Sequence, residues 1–373
     1  MNAFVRLFAT LSHPIQSLYR HWLYRQSISI SSSAMLQKLF QEETLVKPLT
    51  NDERKLVMAI KNETTRLNRD NITRTEAYFS FFQRHPEIHW AFLAHLVSRN
   101  GGWNMTDLKG SLVPVVVATE QIKPLFLFLE RANALIFHDA YPQLLLYEKS
   151  KEQKKKLFHL LPSFSVSAFM RPFWEHFYET NDAPLLTVAL IINEQQYIQH
   201  RVVQHPFFQE QVVKTFPFLC QQWLGFNDVL IPYKNGRRVR LTGITVRDFA
   251  DVSHRIEIGK ALYGMLFYRN SLFQRVYHFA CQTKHTGSRA DFWPHIFSAT
   301  NDGVRIFSPT LNDAWPVIEH RFPDKHDWFY DLTILRAAET IPLMSHPSLT
   351  AHYVDNLKKL QKIATAAKQA THS

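Results

Sequence analysis

Apolar residues recur along most of this chain three and four positions apart, the spacing of a helix that buries one face. Leu56, Ile60 and Leu67 mark one such helix, capped at its start by Asn51 or Asp52 and ending near Asn71. Thr73 caps the next, which carries Tyr78, Phe79 and Phe82 and closes near Pro86. A third spans 87–100, with Gly101-Gly102 as its stop. The period continues over 125–138, 143–161, 166–180, 185–203 and 247–268. Asp139 is placed to cap the helix over 143–161, with Pro142 inside its tolerant first turn. Past residue 300, Pro309, Pro316, Pro323 and Pro342 cut the chain into short pieces before a polar helix over 349–370. One extended stretch, 239–242, follows the Asn235-Gly236 turn and suits a hairpin. The pattern predicts a mainly α, multi-helix globular bundle with at most a small β-hairpin near 230–243. It contains no internal repeat.

Three regions follow: a basic amphipathic N-terminal segment (1–48), a helical main domain (49–300) and a C-terminal extension ending in the polar helix (301–373). The first mixes aromatic residues such as Phe4, Phe8 and Trp22 with Arg6, Arg20, Arg25 and Lys38, and no acid precedes Glu42. Such a segment suits peripheral contact with an anionic membrane surface, or docking on the body as one more helix.

Composition narrows the classes. The chain is 46% hydrophobic over 373 residues, enough for a large core. Ten glycines, against average usage of ~7%, leave little material for a turn-rich all-β protein or for glycine-rich phosphate loops. Cys220 and Cys281 cannot build a disulfide framework, which suits a reducing compartment. The longest apolar runs, 112–118 and 183–192, fall far short of the ~20 residues of a membrane span. The broken apolar start gives no signal peptide. A cytoplasmic place is expected, with the inner face of the membrane as a peripheral contact. The net charge of +11, with clusters KEQKKK (151–156) and NGRRVR (235–240), suits either a polyanion or a solvated basic face. No specific nucleic-acid motif accompanies it.

Chemistry concentrates in two polar patches. On a helical wheel for 87–100, Ile88, Trp90, Phe92, Leu93, Leu96 and Val97 take most of the circumference. The remaining arc holds Glu87, Ala91, His95, Ser98 and Arg99, where small neighbours leave room for another helix or a ligand. The stretch SRNGGWNMTD then reads as a loop carrying Asn100, Trp103 and Asp107. His85 and His89 share i, i+4 spacing, but Pro86 stands where a zinc protease has glutamate, and a hydrogen-bonded core histidine is the alternative. The second patch is HFACQTKHTGSRADFWPH (278–295). His278, Cys281 and His285 fall on one helical face and, with His295 or Asp291, have the residue types of a zinc site. Thr286-Gly287-Ser288-Arg289 offers backbone N–H groups, hydroxyls and a guanidinium for an anion, or a turn held by its own bonds. Between the patches, Glu130, Asn133, Ala134 and Phe137 share an arc, and Glu194, Tyr197 and Arg201 recur at i, i+3 and i+7. Charges on apolar helices need partners. Glu130 or Glu194 with Arg74, Arg99 or Arg201 would supply them, as staples or as the lining of a cleft.

Three blocks, HPEIHWAFLAHLVSRNGGWNMTDLKG (85–110), ERANALIFHDAYPQLLLYE (130–148) and HTGSRADFWPH (285–295), resemble the YppC-like family of uncharacterised proteins from Bacillus-type bacteria. The resemblance covers roughly residues 50 to 300. It implies a bacterial cytoplasmic setting and brings no activity with it.

Residues alone leave three function classes. The preferred one is a cleft for an anionic small molecule built from Arg74, His95, Arg99, Asn100, Asp107, Glu130, Asn133, His285, Ser288, Arg289 and Asp291. The others are a membrane-surface adaptor and a hydrolase with a histidine-based site, zinc at His278, Cys281, His285 and His295 being one version. Lipase-type GxSxG, P-loop, dinucleotide, HExxH and CxxC signatures are all missing, so catalysis is left open and no cofactor is assigned.

Overall fold

Several helix starts in this chain are fixed by short polar side chains. Thr50 Oγ1 accepts from Glu53 N, and the Glu53 carboxylate accepts from Thr50 N at 2.8 Å, a reciprocal cap on the first long helix. Asp70 caps the second by accepting from Thr73 N, three residues before the expected cap. Asp182 and Asp251 do the same for two later helices.

The computed structural model describes residues 27–41, 48–215, 228–246, 248–344 and 347–372. Cys220 and most of the N-terminal segment lie outside them. In chain order the main elements are β1 (Ser27–Ser29), α1 (Ser33–Leu39), α2 (Asn51–Leu67), α3 (Asn71–Arg84), α4 (His89–Asp107), α5 (Thr119–Gln153), α6 (Met170–Thr180) and α7 (Ala183–Ile198). Then follow β2 (Asp228–Asn235), β3 (Arg238–Thr245), α8 (Val252–Phe267), α9 (Asn270–Gln282), β4 (Phe297–Ser298), β5 (Ile306–Phe307), β6 (Thr340–Pro342) and α10 (Thr350–His372). The protein is mainly helical, and its strands form three small pairs among the described residues. The expected hairpin is β2–β3, antiparallel, turning at Gly236 in the left-handed region (φ +61°). The pairs β1–β6 and β4–β5 are too short to leave a pattern in the sequence.

The core is aromatic. Tyr78, Phe79, Phe81 and Phe82 on α3 meet Trp90 and Phe92 on α4 and Phe137 and Tyr141 on α5. The apolar run at 183–192 is α7, buried on nearly every side. Among the described residues no helix is long and apolar enough to cross a membrane. Leu36 of α1 is fully buried, and Phe40 packs on Phe169, Phe173 and Phe329, so this part of the N-terminal segment docks on the body. The pieces after residue 300 also lie across it. Trp315 stacks on Phe126 at 4.0 Å, and Trp328 Nε1 donates to Asn193 Oδ1 at 3.0 Å.

Two expected breaks are absent. Residues 119–153 form one helix straight through Pro142, so Asp139 caps nothing. Its carboxylate accepts instead from Asn193 Nδ2 (2.6 Å) and Gln143 Nε2 (2.8 Å). A mid-helix proline costs about 3 kcal/mol, and packing against α2, α3, α4 and α7 outweighs it. Likewise α4 runs through Gly101-Gly102 to Asp107, so SRNGGWNMTD is helix and not loop. The glycines serve close approach. A Cβ at Gly102 would lie 2.3 Å from Asn71 Oδ1 and 2.5 Å from His285 Nε2, whereas one at Gly101 would lie 3.0 Å from Asn133 Nδ2.

Alanine at either glycine gains about 0.8–1 kcal/mol of helix propensity. At Gly102 overpacking outweighs that gain, at a cost of about 1–3 kcal/mol or more. Urea unfolding is expected to show Gly102→Ala destabilised and Gly101→Ala equal to or slightly more stable than the parent. Equal midpoints for the two would contradict the close approach.

Candidate functional site

Asn71, the first residue of α3, is buried and ties α4 to the second polar patch. Its Nδ2 donates to Ser98 O (2.9 Å) and Ser98 Oγ (3.1 Å), which leaves its Oδ1 facing His285 Nε2 at 2.9 Å. His285 Nε2 therefore carries a hydrogen and donates it. Thr75, one turn along α3, bonds Ser98 Oγ at 2.7 Å and accepts at its carbonyl from His95 Nδ1 at 2.9 Å. These bonds set the tautomers of both rings. When the rings are neutral, the lone pairs left over are on His95 Nε2 and His285 Nδ1. His95 Nε2 has no partner, and His285 Nδ1 stands 3.4 Å from Asp291 Oδ2 without hydrogen-bond alignment.

Arg99 lies one turn beyond His95 on the same face of α4 and is 1% exposed. Its guanidinium sits 5.6 Å from the Trp103 ring and 5.0 Å from the Phe279 ring, and none of its three nitrogens has a hydrogen-bond partner among the described residues. Burial lowers Arg99 to about 10, partly offset by Asp291 and Glu76, so it stays charged at neutral pH. Burial, and then the Arg99 charge, hold His95 well below the ordinary imidazole range. Burial also lowers His285, against the pull of Asp291. For Asp291, burial works upward, but His285 and Thr286 outweigh it and keep the carboxyl below its usual range.

The two sequence patches thus meet. The Arg99 and Arg289 guanidinium carbons lie 5.6 and 5.9 Å from the same Trp103 ring. Within this meeting the expected residues separate into groups. Arg289 is paired with Asp107 (Nη2–Oδ2 2.7 Å, Nε–Oδ2 3.1 Å) and with Asn104 Oδ1 at 3.0 Å, which leaves its Nη1 without a hydrogen bond among the described residues. Three of the four N–H groups of the TGSR turn are also committed. Thr286 N donates to Asp291, Ser288 N to Thr286 Oγ1, and Arg289 N to Ser308 Oγ. Ser288 Oγ donates to Ser308 O at 2.5 Å. The turn is held by its own bonds, so the expected anion cradle there is replaced by a structural one. Asn100 braces β2, donating to Asp228 O and accepting from Leu230 N. Arg74 and Glu130 form a buried ion pair at 2.5 Å, with His320 on the other carboxylate oxygen at 3.2 Å. Asn133 donates to Leu129 O. His95, Arg99, His285 and Asp291 remain as one cluster with Trp103 of the first patch, and Asn71 and Thr75 join it unanticipated. Only the i, i+4 spacing of Asn71 and Thr75 hinted at a polar face.

The zinc arrangement fails on local geometry. Helix α9 ends at Gln282 and Thr283 is extended, so His285 leaves the face of His278 and Cys281. His285 is buried, whereas His278, Cys281 and His295 are exposed. Among the described residues no three His, Cys, Asp or Glu side chains are grouped to hold a metal ion. His85 closes α3 and bonds Glu148 at 3.0 Å, while His89 opens α4 and bonds the Tyr263 hydroxyl at 3.0 Å, so those two do not share one helix. Burial lowers His89 to about 4, as suits a neutral, hydrogen-bonded ring.

A cleft of about 1120 Å³ has His95 and His285 in its wall beside Thr73, Phe79, Gln282 and Lys284, whereas Arg99 and Asp291 are not part of that wall.

The family described as "Protein of unknown function (DUF2515)" matches residues 66–345, and the chain belongs to it. It is 46% identical over 279 residues to the uncharacterized protein YppC of Bacillus subtilis (strain 168), covering 74% of this chain and 84% of that protein. No solved structure matches the chain.

Arg74 and Arg99, both buried, make opposite predictions. Removing the partner of Arg74 strands its charge, so Glu130→Ala is expected to lose about 3–5 kcal/mol in denaturant unfolding. Arg99 has no partner to strand, and Arg99→Met is expected to be neutral or stabilising. A loss of several kcal/mol in Arg99→Met would make that residue a structural staple.

Proposed function

We propose that this member of the DUF2515 family binds a small oxyanion at Arg99, between His95 and His285. One observation carries the reading: a fully buried guanidinium with three unpaired nitrogens, next to two imidazole nitrogens that are also free of hydrogen bonds. A charge placed so deep costs several kcal/mol unless it is paired. Phosphate and carboxylate oxygens match the fork of a guanidinium in pairs of parallel bonds. The imidazoles refine the choice. Both are drawn below their ordinary range and are neutral above pH 7, so His95 Nε2 and His285 Nδ1 accept rather than donate. The ligand that fits offers acceptor oxygens to Arg99 and a hydroxyl proton to an imidazole, as hydrogen phosphate or a small hydroxy acid does.

Titration calorimetry of the full chain with inorganic phosphate, malate and sulfate tests this. Phosphate or malate is expected to bind at pH 7.5, and sulfate, which has no proton to give, about tenfold or more weakly, since an unmet buried acceptor carries a penalty of 1.4 kcal/mol or more. Sulfate is expected to gain as pH falls below the ordinary imidazole range, where an imidazole beside the anion takes up a proton. Arg99→Met is expected to stay folded and to bind none of the three. Unchanged binding in that variant, or no binding by the parent chain, contradicts the proposal.

A further inference from the structure

The opposite face of α4 borders a second, separate cavity of about 250 Å³ among α3, α4, α5, α7 and α8. Leu93, Leu125, Phe128 and Leu262 give it apolar walls. Most polar side chains of the lining are bonded within the protein: Ser98 to Asn71 and Thr75, Asn100 to β2, Asn104 to Arg289, Asn133 to Leu129, and Gln195 to Glu194 and Arg255. Tyr78 and Glu194 differ. The Tyr78 hydroxyl is buried in the wall with no hydrogen-bond partner. The Glu194 carboxyl accepts from Trp90 Nε1 and from Gln195 Nε2, each at 3.2 Å, and among the described residues no arginine or lysine pairs with it. We infer that this cavity takes a small neutral molecule with an apolar body and a single oxygen, such as a medium-chain alcohol, whose oxygen meets Tyr78 and Glu194.

Size, polarity and charge each limit the ligand. An apolar cavity of about 150 Å³ holds benzene, so this one suits about ten heavy atoms. The walls disfavour a polar body, because they are mostly apolar and their polar side chains already bond within the protein, so the hydrogen bonds a sugar or nucleotide would give up are not replaced. The charge argument rests on Arg255, the cation in the lining. Its Nε donates to Gln195 Oε1 (2.9 Å), one terminal nitrogen to Phe249 O and the other to Gln199 Oε1 (2.8 Å). With Arg255 committed, an anionic head group finds no free cation. Burial raises Glu194 to about 8, so at neutral pH the carboxyl keeps a proton to donate. Burial, and then Glu194, likewise keep the Tyr78 phenol protonated. Protonated acid and phenol together suit a neutral oxygen that both accepts and donates.

Calorimetry of the full chain with 1-octanol and octanoate at pH 7 tests the inference apart from the oxyanion reading. One equivalent of 1-octanol is expected to bind, with octanoate about tenfold weaker or more for want of a cation. Octanol binding is expected to decline above pH 8 in the parent and to persist there in Glu194→Gln, whose amide keeps a donor at every pH. Tyr78→Phe is expected to weaken octanol several-fold, and Ala132→Phe, which fills the cavity, to abolish it while phosphate binding is unchanged. The inference is overturned if 1-octanol shows no binding up to its solubility limit, if octanoate binds as well, or if Ala132→Phe and Tyr78→Phe both bind octanol like the parent.

Discussion

The close approach at Gly102 is the contact on which the rest of the site depends. There the backbone of α4 touches the Asn71 carboxamide and the His285 imidazole, at positions where any side chain would collide with both. Three stretches far apart in sequence meet at this point. The start of α3, the middle of α4 and the loop after α9 are fixed there by the Asn71 side chain, whose Nδ2 donates to Ser98 and whose Oδ1 accepts from His285 Nε2. The last turns of α4 then fall beside the TGSR turn, where Arg289 grips Asp107 and Trp103 Nε1 donates to Asp291 Oδ2 at 3.3 Å. A helix that stopped at the glycines, as their presence suggests, would have carried neither Trp103 nor Asp107 to that turn.

Continuity gives α4 two working faces. On one, His95, Arg99 and Gly102 follow at helical intervals toward the polar cluster, and on the other, Trp90, Leu93 and Gly101 face the apolar cavity. The buried charges around the helix are handled in two ways. Arg74 and Arg289 are each matched by a carboxylate, Glu130 and Asp107, and join parts of the chain that would otherwise pack only through apolar contacts. Arg99 has aromatic rings on two sides and free nitrogens. Folding alone gives no reason to place a guanidinium in that surrounding, whereas recognition of an anion does.

Much of the fold is legible in the sequence because it is written in local chemistry. The 3.6-residue apolar period gives most of the helices, and Asn235-Gly236 gives the hairpin. The misreadings have one physical cause. Glycine ends a helix only when it takes up the left-handed conformation, and Gly101 and Gly102 do not; which outcome holds depends on neighbours some 30 and 180 residues away. Pro142 and Asp139 mislead in the same manner, since the packing that carries α5 past a proline is tertiary. The zinc face fails because α9 stops three residues short of His285. For the site, the residue types and the two patches can be read directly, and their blocks resemble the family to which the chain belongs. The sorting of those residues into staples and free groups cannot be read, because it is decided by single hydrogen bonds such as Ser98 O to Asn71.

The central claim is that the free nitrogens of His95, Arg99 and His285 hold one oxyanion. An anomalous difference map from crystals of the full chain soaked in arsenate tests it most directly. Hydrogen arsenate carries the proton that the imidazoles need, and its arsenic marks the position without ambiguity. The account predicts a peak within about 4 Å of the Arg99 guanidinium, as for a bidentate oxyanion pair, with oxygens in reach of His95 Nε2 or His285 Nδ1. Arsenate found solely on surface lysines, with ordered water on Arg99, would contradict it.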